Sequence, residues 1–268
     1  MALLEVRGLV KRYGDRVVVD GVSFDVDRAE IVGLLGPNGA GKTTSFRSTI
    51  GMITPDAGQV FFDGEEVTRL PMYQRARLGM GYLSQEPSIF RALSVEDNVL
   101  AVLEMRGFDR AERRRRCDAL LDELGLLRLA KQRADTLSGG ERRRLEISRT
   151  LAIEPLLILL DEPFAGVDPK VVGELRRLLA ALREKGIGIL ITDHNYRETL
   201  ESTDRAYVIT DGHVLKEGRP EELLSDPDVR RHYLGGDEPV RAEPDRCQLH
   251  GDAPCRHYLG GDEVLPAT

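Results

Sequence analysis

The stretch Gly36-Pro37-Asn38-Gly39-Ala40-Gly41-Lys42-Thr43 has the spacing G-x-x-x-x-G-K-[ST], and each residue type in it has a task if the ligand is a polyphosphate. The glycines let backbone N–H groups curl around phosphate oxygens, and a helix starting near Thr43 adds its positive N-terminal end. Lys42 would neutralise charge on the β- and γ-phosphates, and Thr43 would offer its hydroxyl to Mg²⁺. Farther along, Asp161 and Glu162 follow a run of aliphatic residues. Two adjacent carboxylates are poor choices for a buried strand end unless they serve a cation and a water molecule. Asp161 is placed to reach the Mg²⁺ shell through water, and Glu162 to polarise an attacking water as a base. His194 closes another apolar run; it either bonds a γ-phosphate or is structural, and a lone His leaves both readings open.

Leu137-Ser138-Gly139-Gly140-Glu141 precedes Arg142-Arg143-Arg144 and a helical run to Leu151. Ser138 with Glu141 three residues on is a capping box. Gly139 and Gly140 do not help that role, since glycine weakens a helix turn, but they would let an anion approach the helix end closely.

These residues need elements to hold them. Ile31 to Leu35 is a short apolar run ending in Gly36, which reads as a buried parallel strand. Leu156 to Leu160 and Ile187 to Thr192 read the same way, and three strands ending in polar residues predict one site beyond their carboxyl ends. Leu3 to Arg7, Arg16 to Val26 and Gln59 to Phe62, the last before an Asp63-Gly64 turn, predict an antiparallel layer. From about Ser94 to Leu151 the pattern turns helical and predicts an inserted subdomain, in which Arg113 to Arg116 read as a solvated helix face. The fold class expected is α/β.

At 268 residues the chain can bury a sizeable core without disulfides, and its three Cys read as thiols in a reducing compartment. No apolar run is long enough to cross a bilayer, so any membrane role must come through partners. A net charge of −7 argues against a general nucleic-acid binder.

In order and spacing, the set resembles the nucleotide-binding domains of ABC transporters. The resemblance assigns Gly36 to Thr43 as Walker A, Gln85 as the glutamine that touches Mg²⁺ and γ-phosphate, Leu137 to Glu141 as the signature, Asp161-Glu162 as Walker B, Phe164 to Asp168 as the D-loop, and His194 as the switch histidine. It makes Tyr13 the aromatic that stacks on adenine, where a single Tyr by itself reads equally as packing. It implies a P-loop NTPase (RecA-like) core with ATP and Mg²⁺ as cofactors. It also implies a homodimer in which Ser138, Gly139, Gly140 and Glu141 of one copy face the γ-phosphate held by the other. The wording of Gly36 to Thr44, Gln85 to Arg91, Leu137 to Arg144, Asp161 to Pro169 and Ile191 to Leu200 is similar to the ATPases of lipopolysaccharide exporters, over about residues 3 to 236. Ser84 departs from it, standing where that group usually has Pro. The likeness implies two integral membrane transporter subunits as partners, no direct nucleic acid, and a place on the cytoplasmic face of the inner membrane. Residues 85 to 93 would be the lever toward those partners, with Phe90 either packing on a coupling helix or serving as core. The rival readings are the ATPase of a branched-chain amino-acid importer and a soluble ABC ATPase acting on nucleic acid or ribosomes.

The expected partition is an ATPase domain over 1–238, with a helical subdomain at about 86–155, and a flexible or loosely docked tail over 239–268. Arg231 to Glu238 recurs identically as Arg256 to Glu263. Cys247, His250, Cys255 and His257 invite a zinc reading, but no close Cys-x-x-Cys pair supports it.

Overall fold

A computed structural model of the chain describes residues 2–86, 88–166 and 169–234. Two sheets and a set of helices form its body. The first sheet is antiparallel: β1 (Leu4–Tyr13) lies between β2 (Arg16–Val26) and β4 (Ala57–Phe62), and β5 (Glu65–Glu66) adds to the edge of β4. The second has six strands in the order β10-β9-β3-β8-β7-β6. Its members are β3 (Ile31–Leu35), β6 (Met80–Leu83), β7 (Leu157–Asp161), β8 (Gly188–Thr192), β9 (Arg205–Thr210) and β10 (His213–Gly218). All pairings in it are parallel except that of β10 with β9.

The apolar runs behave as sequence demands. β3, β7 and β8 are buried at every residue, as expected for parallel strands covered on both faces. β7 begins at Leu157, not Leu156, and β8 at Gly188, not Ile187. The sheet also holds three strands beyond those read from sequence. β6 is short and opens after Gly79, which weakens its pattern. β9 and β10 flank Asp211-Gly212, a hairpin signal that a reading of the C-terminal third would have caught.

Helices cover the parallel sheet. α1 (Lys42–Ile50) leaves β3 through the phosphate loop, and α2 (Met72–Arg77) leads into β6. α3 (Val95–Met105), α4 (Arg110–Glu123) and α5 (Gly139–Leu151) pack around Val99, Leu103, Cys117, Leu121 and Leu145. α6 (Pro169–Glu184) joins β7 to β8, α7 (Tyr196–Leu200) follows β8, α8 (Pro220–Ser225) and α9 (Pro227–Val229) follow β10, and a π-helical turn over Arg230–Leu234 ends the described residues. On α4, Arg113 to Arg116 pair with Glu104, Glu96, Asp118, Glu112 and Glu154, so the arginine run is a charge-compensated helix face.

One buried arginine fixes the end of α1. Arg75 is 1% exposed and donates to the carbonyls of Ser48, Thr49, Leu70 and Thr68 at 2.5–3.0 Å. Its guanidinium adds a donor to Ser48 O, which also accepts from Gly51 N–H at 3.2 Å, and supplies one to Thr49 O, at the negative end of the α1 dipole. Burial pulls its pKa down to about 10, still well above neutrality. Arg75→Met keeps the stem and leaves the Thr49, Leu70 and Thr68 carbonyls without this donor, so we expect a loss of roughly 3 kcal/mol, at about 1 kcal/mol per carbonyl; urea unfolding followed by circular dichroism measures it.

Candidate functional site

Four neighbouring strands, β3, β8, β7 and β6, end on the same side, and each delivers a sequence-predicted residue. β3 runs into Gly36, where the backbone takes φ 149°. A Cβ there would lie 2.0 Å from the Ile209 carbonyl oxygen, and one at Gly41, φ 102°, would lie 2.6 Å from that of Val18. These positions demand glycine because the loop is squeezed against β9 and β2. Lys42 is 7% exposed, and its ammonium donates to Gly36 O at 2.6 Å and Pro37 O at 2.9 Å. Burial lowers its pKa, against the opposing pull of Glu162 and Asp193. Its charge thus points into the loop that would hold phosphate. Thr43 and Thr44 follow on the first turn of α1.

β7 delivers Asp161 and Glu162. Asp161 is 4% exposed and raised in pKa, chiefly by burial and further by Glu162 and Asp193, while Arg47 and a hydrogen bond from Tyr82 act the other way. That bond is long, Tyr82 Oη to Asp161 Oδ2 at 3.5 Å, and no ion pair among the described residues neutralises the carboxylate. Glu162 sits at φ 47°, a left-handed conformation uncommon for a side chain of its size. Its N–H donates to Thr192 O at 2.7 Å, so the turn is held by β8.

Gln85, beyond β6, donates through Nε2 to Glu162 Oε2 at 2.9 Å. His194, beyond β8, brings Nδ1 to 3.5 Å from the same oxygen and 3.4 Å from Asp193 Oδ1. Asp193 is fully buried and accepts from the backbone N–H groups of Phe164 and Asn195, both at 2.9 Å. It ties the turn after β7 to the turn after β8. Sequence reasoning gave no role to Asp193 or Tyr82; the signal for Asp193 was a carboxylate ending a fully apolar strand.

Two further groups stand apart from this cluster. Tyr13, at the tip of the β1–β2 hairpin, is 50% exposed, with Lys11 Nζ 5.7 Å from its ring centroid, so it is not packed as core. Ser138 caps α5: its N–H and hydroxyl donate to Glu141 Oε2 at 2.8 and 2.7 Å, and its Oγ accepts from Glu141 N at 3.4 Å. Ser138 faces solvent, and no hydrogen bond joins the Ser138–Glu141 corner to the phosphate loop among the described residues. A Cβ on Gly139 would meet nothing within 4 Å, and on Gly140 nothing nearer than Val171 at 3.9 Å. Nothing among the described residues requires glycine at either position. Asp168 lies outside the described residues, as does the tail with its cysteines and histidines.

The segment after β6 is tied to α5. Glu146, 4% exposed, accepts from Ser88 N at 2.9 Å and from Arg143 at 2.9 Å, and Arg143 also donates to Ser84 O at 3.2 Å. Arg149 donates to Ser88 O and covers the Phe90 ring at 4.3 Å. Phe90 is 46% exposed and is therefore not core.

The phosphate loop, the paired carboxylates after a parallel strand and the Ser138-capped helix opening on two glycines all lie within residues 19–165, which match the model of the family described as ABC transporter. The chain belongs to the ABC transporter family. This ABC transporter protein is 58% identical over 228 residues to a probable ABC transporter ATP-binding protein of Azorhizobium caulinodans, covering 85% of this chain and 81% of the relative. It is 55% identical to the lipopolysaccharide export system ATP-binding protein LptB of Acidithiobacillus ferridurans, covering 87% and 97%. Among solved structures, MJ1267, an ATP-binding cassette of an ABC transporter in its ADP conformation, aligns with a TM-score of 0.79 at 29% identity, covering 88% of this chain and 99% of that one. The P-loop NTPase fold follows, and so does the activity: this ABC transporter subunit binds nucleotide and hydrolyses ATP. No helix among the described residues is long and apolar enough to cross a membrane.

The buried Asp161 carboxylate costs stability when charged. Its folded pKa is raised, so its favourable contribution is present below the unfolded value near 4 and is lost as pH rises through the folded value. Asp161→Asn should therefore melt above the parent at pH 7 without nucleotide, with the difference vanishing below about pH 4, while ATP hydrolysis is lost; calorimetry across pH and a phosphate-release assay measure both.

Proposed function

We propose that this chain is the motor subunit of an exporter that moves lipopolysaccharide or a related lipid out of the inner membrane. The reading is supported by its likeness to the Acidithiobacillus LptB over nearly the whole of that protein, which also disfavours the amino-acid importer reading. The observation that carries the motor assignment is the meeting of Gln85 and His194 on one oxygen of Glu162, from three separate strand ends.

Backbone N–H groups of Asn38, Gly39, Ala40 and Gly41, in the loop that Gly36 and Pro37 open, cradle the β- and γ-phosphates, with Lys42 neutralising their charge and Thr44 beside them on α1. Tyr13 offers an open ring face to adenine. Glu162 accepts the proton of the attacking water, Gln85 and His194 orient that water and the γ-phosphate, and the chemistry is positional and electrostatic. Mg²⁺ supplies charge neutralisation at the phosphates when bound. A buried, unneutralised Asp161, with the Thr43 hydroxyl on the first turn of α1, would suit such an ion, which binds through few protein ligands plus phosphate and water, and Gln85 would complete that set. Asp161 then holds a charge it otherwise bears at a cost.

The site is incomplete within one chain. Gly139 and Gly140 weaken α5 by about 1 kcal/mol each relative to alanine and fill no internal need, which supports their contact with phosphates on a second copy. In that sandwich, Ser138, Gly139, Gly140 and Glu141 close the partner's nucleotide, with Asp168 at the seam. Two membrane subunits on the cytoplasmic side would dock at residues 85 to 93, where the exposed Phe90 ring stacks on the half-buried Arg149. Direct nucleic-acid contact is not part of this reading. We take 1–238 as the ATPase domain, about 86–155 as its helical subdomain and 239–268 as a tail.

Glu162→Gln should cut turnover by roughly 10²–10⁴-fold and trap an ATP-bound dimer, seen as a doubled mass in size-exclusion light scattering; hydrolysis at the parent rate would remove Glu162 as the base. Co-purification with membrane subunits and mass spectrometry of bound lipid tests the exporter assignment, and recovery of ribosomes instead would refute it. Deleting 239–268 should leave the ATPase rate intact, measured by phosphate release.

A further inference from the structure

β6 pairs with β7 in parallel, Tyr82 standing opposite Leu159. Side chains of one strand return to the same face every second residue, and paired residues of neighbouring strands share a face, so Tyr82, Leu159 and Asp161 lie on one side of the sheet. That side is the one beneath α1. The Tyr82 ring packs on the cluster that holds Leu157, Leu159, Leu190 and Phe46, and its centroid lies 6.2 Å from that of Phe46 at an interplanar angle of 55°. The ring is thereby anchored, and its hydroxyl reaches along the sheet to the end of β7, where Oη donates to Asp161 Oδ2 at 3.5 Å. Among the described residues no other side chain donates a hydrogen bond to Asp161. Phenylalanine would fill the same space, so packing does not account for the hydroxyl; a half-buried donor beside a buried carboxylate does.

We propose that Tyr82 is a positioning residue for the cation site: by holding Oδ2 it fixes the Asp161 carboxylate and leaves Oδ1 free for the Mg²⁺ shell. This rests on the assignment of Asp161 to that shell. Burial and the Asp161 charge push the Tyr82 phenol above its ordinary value, so it keeps its proton and remains a donor. The remaining charged groups near the carboxylate act differently. Arg47, four residues after Thr43 on α1, reaches Asp161 through its charge alone, and so do Glu162 and Asp193. They change how strongly a cation is attracted, whereas Tyr82 fixes where the oxygens point. Losing a partner that orients a metal ligand typically costs roughly 10–100-fold in metal affinity. The Tyr82 bond is longer than the usual range of about 2.5–3.0 Å for O–H···O, which puts the effect at the low end.

Tyr82→Phe keeps the ring on Phe46 and removes the hydroxyl alone. Calorimetric titration of the full chain with an imido analogue of ATP, once with Mg²⁺ and once with a chelator, gives the tightening that the cation supplies, free of turnover. Tyr82→Phe should reduce that tightening by roughly 10-fold, with the affinity in chelator and the nucleotide-free melting temperature at the parent's values. Asp161→Asn should reduce it too, and adding Tyr82→Phe to Asp161→Asn should reduce it no further, because the hydroxyl acts through that carboxylate. Equal tightening in Tyr82→Phe and the parent, with Asp161→Asn reduced, would overturn the proposal and leave Asp161 its role. Equal tightening in all three would remove Asp161 from the Mg²⁺ shell and the proposal with it. Weaker binding of Tyr82→Phe in chelator, or a melting temperature lower by more than about 3 °C, would make Tyr82 a packing residue and likewise sink the proposal.

Discussion

The site exists because four adjacent parallel strands stop at nearly the same level. Register fixes this: Thr192 of β8 stands opposite Leu34 of β3 on one side and Asp161 of β7 on the other, and Leu83 of β6 stands opposite Leu160. Glu162, Gln85 and His194 then lie one or two residues past the ladder, and Asp161 occupies its last rung. A slip of one residue would turn each strand's side chains to the other face and separate Glu162 from Gln85 and His194. The buried aspartate after β8 reinforces the register, since Asp193 grips the backbone on both sides of the strand ends.

Much of this arrangement was legible before any coordinates. Unbroken aliphatic runs ending in Gly36, in Asp161 and in His194 can be little else than buried parallel strands, and their ends carry the reactive residues. β6 escaped notice because Met80-Gly81-Tyr82-Leu83 has neither length nor a clean period, although Gln85 depends on it for its position. The roles of Asp193, Tyr82 and Arg75 were not legible, because each acts through contacts with residues far away in sequence: Phe164, Asp161 and Ser48. An isolated polar residue in a sequence does not announce which backbone groups it will satisfy.

The α5 helix joins two kinds of surface. Its N-terminal corner, Ser138 to Glu141, is open and glycine-lined, whereas Arg143, Glu146 and Arg149 farther along grip the segment from Ser84 to Phe90. One continuous helix thus joins that corner to that segment. Glu146 is central to the grip, because as a buried carboxylate it holds an arginine and a backbone amide together.

Glu162 occupies a backbone conformation that glycine would adopt without strain, at a cost of roughly 1 kcal/mol for an ordinary side chain. Under the role proposed for Glu162, robustness and activity are opposed at this residue. Selection for thermal resilience alone would favour glycine there, so on that reading libraries screened only for heat survival would be enriched in well-folded chains that no longer turn over ATP.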